Sequence, residues 1–172
     1  MQQTETAVYF ILTVPEIVLF YLVVLFFMRP SKAVLIASLA GGLVMALLNI
    51  AFDLIAYYAH IWHYFVTGLF LHLALPIYIT PLLIFGSLAY LLIWKFWEGR
   101  THWVSLLVLF GVPTFGILRD IFTVLVAHSS YNQWDSPLAI PYLIVMWAVM
   151  FYAGYFVFRR MAPSFQQKPV MD

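Results

Sequence analysis

Polar positions are sparse along this chain and fall in short clusters between long apolar blocks. The first block runs from Ala7 to Met28 and is closed by Arg29, Pro30, Ser31 and Lys32; the second runs from Ala33 to Ala59. A helix needs about 20 apolar residues to cross the ~30 Å of a bilayer's hydrocarbon, so each block predicts a transmembrane helix. The stretch from Tyr64 to Trp97 is too long for one perpendicular helix, which at ~1.5 Å per residue would reach ~50 Å. It is too short for two spans and a turn. Pro76 and Pro81 interrupt a helical ladder, so residues 65–75 are expected to form an interfacial or re-entrant piece and the third span to cover 76–97. A fourth span, 103–127, and a fifth, 137–158, complete the reading. The predicted fold is all-α, a polytopic membrane bundle of five spans in one integral domain covering residues 1–172.

Composition agrees with that pattern. Of 172 residues 65% are hydrophobic and only 9% charged, against roughly 25% charged in ordinary globular domains. A net charge of +1 offers no basic stripe for nucleic acid. The absence of cysteine excludes disulfides, thiolate nucleophiles and thiolate metal sites. The opening MQQTETAVYF lacks the basic n-region and cleavage site of a signal peptide, so the first block is expected to stay as a helix.

Lysine and arginine fall at Arg29 and Lys32, at Lys95 and Arg100, and at Arg159, Arg160 and Lys168, while the alternate loops carry none. The positive-inside rule then predicts an outside N-terminus and an inside C-terminus, with Trp94, Trp97 and Trp103 at the inner interface and Trp62 and Trp134 at the outer one. Ala37 with Gly41, and Ser38 with Gly42, set small residues four apart on the second span, where they allow close helix approach. Laying the second and third spans over the fourth and fifth aligns Asp53, His60 and Pro76 with Asp120, His128 and Pro141. That alignment predicts a parallel two-helix repeat.

With this topology Glu16, Asp53, Arg119 and Asp120 are intramembrane charges at mid-depth or in the outer half. Each costs about 2.5–3.5 kcal/mol to insert at a helix centre, so they are expected to turn inward toward one another or a cavity. Neighbouring helix positions diverge by about 100°, which predicts that Arg119 reaches another helix rather than Asp120. Three carboxylates then share one intramembrane cation. The excess must hold a proton, a histidine or a bound cation, because an isolated carboxylate is costly in low dielectric. Asn49, Asp53, Tyr57 and His60 follow spacings of four, four and three and predict one polar stripe on the second span. Arg119 and Thr123 extend a second strip on the fourth.

Each of these residues has two readings. The charges either staple helices together or line a functional cavity. His60 and His63 flank Trp62 and read as interfacial anchors rather than a metal site, since no acidic third ligand lies near them. His60 and His128 form a candidate axial pair for haem, but neither metal nor cofactor is called for by the pattern. His72 reads as a hydrogen-bonded helix residue. The abundant aromatic rings suit lipid contact, core packing or a cation-stabilising pocket.

The stretch Asn49 to Phe96, NIAFDLIAYYAHIWHYFVTGLFLHLALPIYITPLLIFGSLAYLLIWKF, resembles the small-subunit and fused type of lycopene cyclase domain. In that family a helix ends in an aspartate, a Trp-x-Tyr-like turn follows, and the next helix opens with Leu-Pro-x-Glu-Glu. Asp53, Trp62, Tyr64, Leu75 and Pro76 match these features, whereas Tyr78 and Ile79 stand in place of the two glutamates. The resemblance implies an isoprenoid or carotenoid-like lipid, cyclised by carboxylic-acid protonation. Glu16, Asp53, Arg119 and Asp120 are then the catalytic candidates. Asn49, Tyr57, His60, Trp62, Tyr64, Thr123 and His128 are the substrate-binding ones. The five-span layout is also similar to small bacterial membrane proteins, and a bacterial or archaeal cell membrane is the expected location. Two other functions fit the same residues: a small proton- or cation-coupled transporter, acting as a homodimer, and a noncatalytic subunit of a larger membrane complex.

Overall fold

The computed structural model describes residues 2–64, 72–73, 75–126 and 132–163, with side chains described from Leu12 onward except at residues 75 and 99. The expected interfacial piece at 65–75 falls almost wholly outside the described residues, as does His128.

Helix α1 (Gln2–Met28) ends where Arg29 takes a left-handed φ of 46° before Pro30. Ser31 then caps α2 (Lys32–Tyr58), its hydroxyl accepting from the Val34 backbone N–H at 3.4 Å. This cap satisfies one of the orphan donors at a helix start. The third helix, Pro76–Phe96, is composite. A 3₁₀ turn (Leu75–Tyr78) leads to a π-helical segment (Pro81–Leu88) and then to α3 (Ala89–Phe96). The α4 helix (His102–Leu125) and α5 (Ala139–Met161) follow. Among the described residues α2, the third helix, α4 and α5 are each long and apolar enough to cross a membrane, and Leu12–Met28 of α1 is a shorter apolar helix. The chain is an all-α helical-bundle membrane protein, multi-pass by these helices.

Central to the bundle is α2, packed most extensively against α5 and the π segment, while α4 lies against α3 and α5. The small-residue row does what its spacing predicts. A Cβ at Gly42 would strike the Leu82 carbonyl, and one at Gly86 would strike Gly42 itself, so α2 and the π segment meet backbone to backbone. A buried chain of hydroxyls crosses the same seam, from Tyr21 to Ser87 (2.7 Å) to Ser38 (2.9 Å), and ends on the Leu35 carbonyl. It ties α1 to the bundle with every hydroxyl partnered, which burial in an apolar interior demands.

Two three-residue strands, β1 (Trp62–Tyr64) and β2 (Asn132–Trp134), lie antiparallel across the end of the bundle where α2 and α4 finish. Their register pairs Trp62 with Trp134, His63 with Gln133 and Tyr64 with Asn132. Asp135 adds a rung by donating its N–H to the Ile61 carbonyl at 2.9 Å. Each half of the chain thus runs helix, strand, helix among the described residues.

Candidate functional site

The strands work as a lid because side chains alternate across a strand, and directly opposed residues of an antiparallel pair share one face. Trp62, Tyr64, Asn132 and Trp134 all face inward and line one cavity of about 470 Å³. That volume lies in the ~300–1,000 Å³ range of ligand pockets. His63 faces the other way and meets Asp135 at 2.7 Å.

Below the lid, α2 presents Asn49 and Asp53, one turn apart on one face. Asp53 is buried, with 3% of its surface exposed. Three donors converge on its carboxyl: Trp62 Nε1 on Oδ1 at 3.3 Å, and Tyr64 Oη and Tyr78 Oη on Oδ2 at 3.0 and 2.7 Å. All three are neutral. Among the described residues the Asn49 amide donates to the Met146 sulfur at 3.7 Å, a weak partner.

The opposite wall belongs to α4 and α5. Arg119 donates from Nε (2.9 Å) and Nη2 (2.5 Å) to Asp120 Oδ1, and Trp147 Nε1 donates to Asp120 Oδ2 at 2.8 Å. The guanidinium also lies 5.2 Å from the Phe85 ring centre and 5.7 Å from that of Trp147, within cation–π range. Thr123 lines the cavity and returns its hydroxyl to the Arg119 carbonyl at 2.7 Å.

Several expectations need correction. Arg119 does not reach across to another helix; it folds back on Asp120, because its long side chain overcomes the divergence of adjacent positions and presents two donors to one oxygen. Glu16 stays out of the cavity and is exposed, since α1 packs on the third helix through the adjoining face that carries Ile17, Val18 and Tyr21. The polar stripe of α2 breaks after Asp53. Tyr57 is half-buried and stacks on His72, with ring centres 3.9 Å apart, rather than lining the cavity. His60 adopts a left-handed φ of 53° in the turn into β1 and is exposed. The helix ends at Tyr58, so His60 leaves the common face, while Tyr57, still helical, is engaged by the His72 ring.

The carboxylate excess is therefore two aspartates to one guanidinium rather than three to one. Asn49, Asp53, Trp62, Tyr64, Arg119, Asp120 and Thr123 come together as the sequence suggests, whereas Glu16, Tyr57 and His60 do not. Sequence reasoning missed Tyr78, Asn132 and Trp147. Trp147 carries a signal in retrospect, standing mid-span on α5 and far from an interface where tryptophan is at home. Among the described residues no three His, Asp or Glu side chains converge on a common metal position.

No family model matches this chain, and neither a curated protein nor a solved structure matches it either.

Proposed function

We propose that the lidded cavity binds an isoprenoid-class lipid in a bacterial or archaeal cell membrane and that Asp53, in its acid form, protonates one of its double bonds. The observation that carries this reading is the convergence of Trp62, Tyr64 and Tyr78 on one buried carboxyl. Two of those three residues carry the cyclase-like motif. The third stands where that motif has its first glutamate. The chemistry is an isomerisation. The proton leaves the Asp53 oxygen for the less substituted alkene carbon, a second double bond attacks the resulting cation to close a ring, and a neighbouring carbon returns a proton to carboxylate. No oxidant or cofactor enters the balance. The aromatic faces of Trp62, Phe85, Trp134 and Trp147 suit a passing cation, and Arg119 holds Asp120 as the second carboxylate.

The test uses the purified chain in lipid nanodiscs with an acyclic polyene such as lycopene, read by absorbance and chromatography. Asp53→Asn is expected to abolish cyclised product while leaving folded protein, and turnover retained in that variant removes Asp53 from the mechanism. A second reading, proton- or cation-coupled transport, draws on the same two-to-one charge imbalance. It predicts proton flux into reconstituted liposomes above that of empty vesicles, and its absence would count against it.

A further inference from the structure

Trp62, Tyr64, Tyr78, Arg119 and Trp147 all donate to the two aspartates, so the donors around these carboxyls are already committed. One acceptor is not. Among the described residues Asn132 Oδ1 is buried and has no hydrogen-bond partner. Native interiors rarely leave such an atom unpaired, and a lone acceptor on a cavity wall points to something that donates to it. Its position is set by the lid. Asn132 is the register partner of Tyr64, their side chains share the inward face, and the Tyr64 hydroxyl reaches Asp53 at 3.0 Å. Asn132 and Asp53 thus belong to one end of the cavity, while Leu143, Met146 and Phe85 supply apolar wall elsewhere.

We infer that the ligand of this cavity carries a hydrogen-bond-donating head, a hydroxyl or an ammonium on an isoprenoid tail, which donates to Asn132 Oδ1 beside Asp53. This rests on the isoprenoid reading above and narrows it. A pure hydrocarbon leaves Asn132 unpaired and Asp53 without a polar neighbour from the ligand, and sites built to hydrogen-bond a substrate group discriminate strongly against analogues that lack it.

Three probes of equal tail length separate the possibilities: geranylgeraniol, geranylgeranylamine and the corresponding methyl-terminated hydrocarbon. Binding to the full chain in nanodiscs is followed by displacement of a fluorescent polyene and by the unfolding midpoint. The alcohol or the amine is expected to bind at least about tenfold more tightly than the hydrocarbon, and the tighter of the two identifies the head. Asn132→Leu is expected to erase that preference without weakening the hydrocarbon, and its unliganded midpoint should stay level or rise because an unpaired acceptor has gone. Asn132→Asp, which keeps oxygen acceptors at the position, is expected to retain alcohol binding. Equal binding of alcohol and hydrocarbon overturns the inference and leaves the isoprenoid cavity standing, as does loss of the preference in a folded Asn132→Asp variant. Failure of all three probes to bind brings down the isoprenoid reading and this inference with it.

Discussion

The Tyr78 hydroxyl donates to Asp53 Oδ2 at 2.7 Å, the shortest of the three hydrogen bonds on that carboxyl. It joins residues 25 positions apart, on the first turn of the third helix and near the end of α2. The 3₁₀ turn that opens at Leu75 sets Tyr78 toward α2. The bond therefore links the start of one membrane helix to the buried carboxyl on another, beneath the strand lid.

Tyr78→Phe is expected to remove that donor while keeping the ring. A hydrogen bond to a charged or strongly polar acceptor is worth about 1–3 kcal/mol, so the unfolding free energy in detergent should fall by about that amount. Polyene turnover should drop with it. Tyr64→Phe removes the longer, partly exposed bond and should cost less. Equal stability of wild type and Tyr78→Phe would mean that the hydroxyl does not hold the Asp53 carboxyl.

Arg119 and Asp120 form one unit, so their substitutions should not add. Arg119→Gln leaves Asp120, among the described residues, with Trp147 as its donor, and Asp120→Asn removes the carboxylate that the guanidinium meets beside two aromatic rings. Each single change is expected to destabilise more than half as much as the pair. A double-mutant cycle should return a coupling energy of about 0.5–3 kcal/mol, the range for contacting residues. Coupling indistinguishable from zero would show that the pair is not formed in the folded protein. Arg119→Lys should fare nearly as badly as Gln, because a lysine ammonium cannot present a planar fork to one oxygen while lying flat against Phe85 and Trp147.

Glycine substitutions separate packing from propensity. Gly42→Ala drives a methyl into the backbone carbonyl of Leu82, which no rotamer change relieves; overpacking of this kind costs about 1–3 kcal/mol. Gly111→Ala on α4 meets only a Leu107 methyl at 3.9 Å. There the lost glycine entropy should stabilise by about 0.5–1 kcal/mol. Unfolding midpoints of the two variants on opposite sides of wild type are the expected result.

The bundle was legible because apolar blocks of membrane length leave few alternatives, and the row Ala37, Ser38, Gly41 and Gly42 announced a close helix contact. The charges were legible as a group for the same reason: Asp53 and Asp120 are too costly to face lipid, and both line the cavity. Depth alone did not settle Glu16, whose helix packs through a neighbouring face. Periodicity also overran the helix end at Tyr58, so it carried His60 into a site that its left-handed turn excludes, and it could not show that Tyr57 is taken up by a stack on His72. The lid was hidden because three-residue strands leave almost no alternation to read. Only their pairing across about 70 positions makes Asn132 and Trp62 members of one wall.

Sidedness follows from where the lid and the basic residues lie. The strands close the end of the bundle at which α2 and α4 finish and the third helix and α5 begin. Arg29, Lys32, Lys95, Arg100, Arg159 and Arg160 collect at the other end, where Arg159 lies 5.4 Å from the Trp97 ring centre and ties α5 to the third helix. Positive charge near short loops holds that end inside, so the lid and its aspartates should face out. The chain has no cysteine, which makes single-cysteine labelling free of background. Gln133→Cys lies on the exposed outward side of β2, and Thr101→Cys is exposed at the basic end. A membrane-impermeant maleimide added to intact cells is expected to label Gln133→Cys at once and Thr101→Cys only after permeabilisation. The opposite pattern would place the cavity on the inner side, so that any proton delivered to Asp53 would come from the cytoplasm rather than from outside.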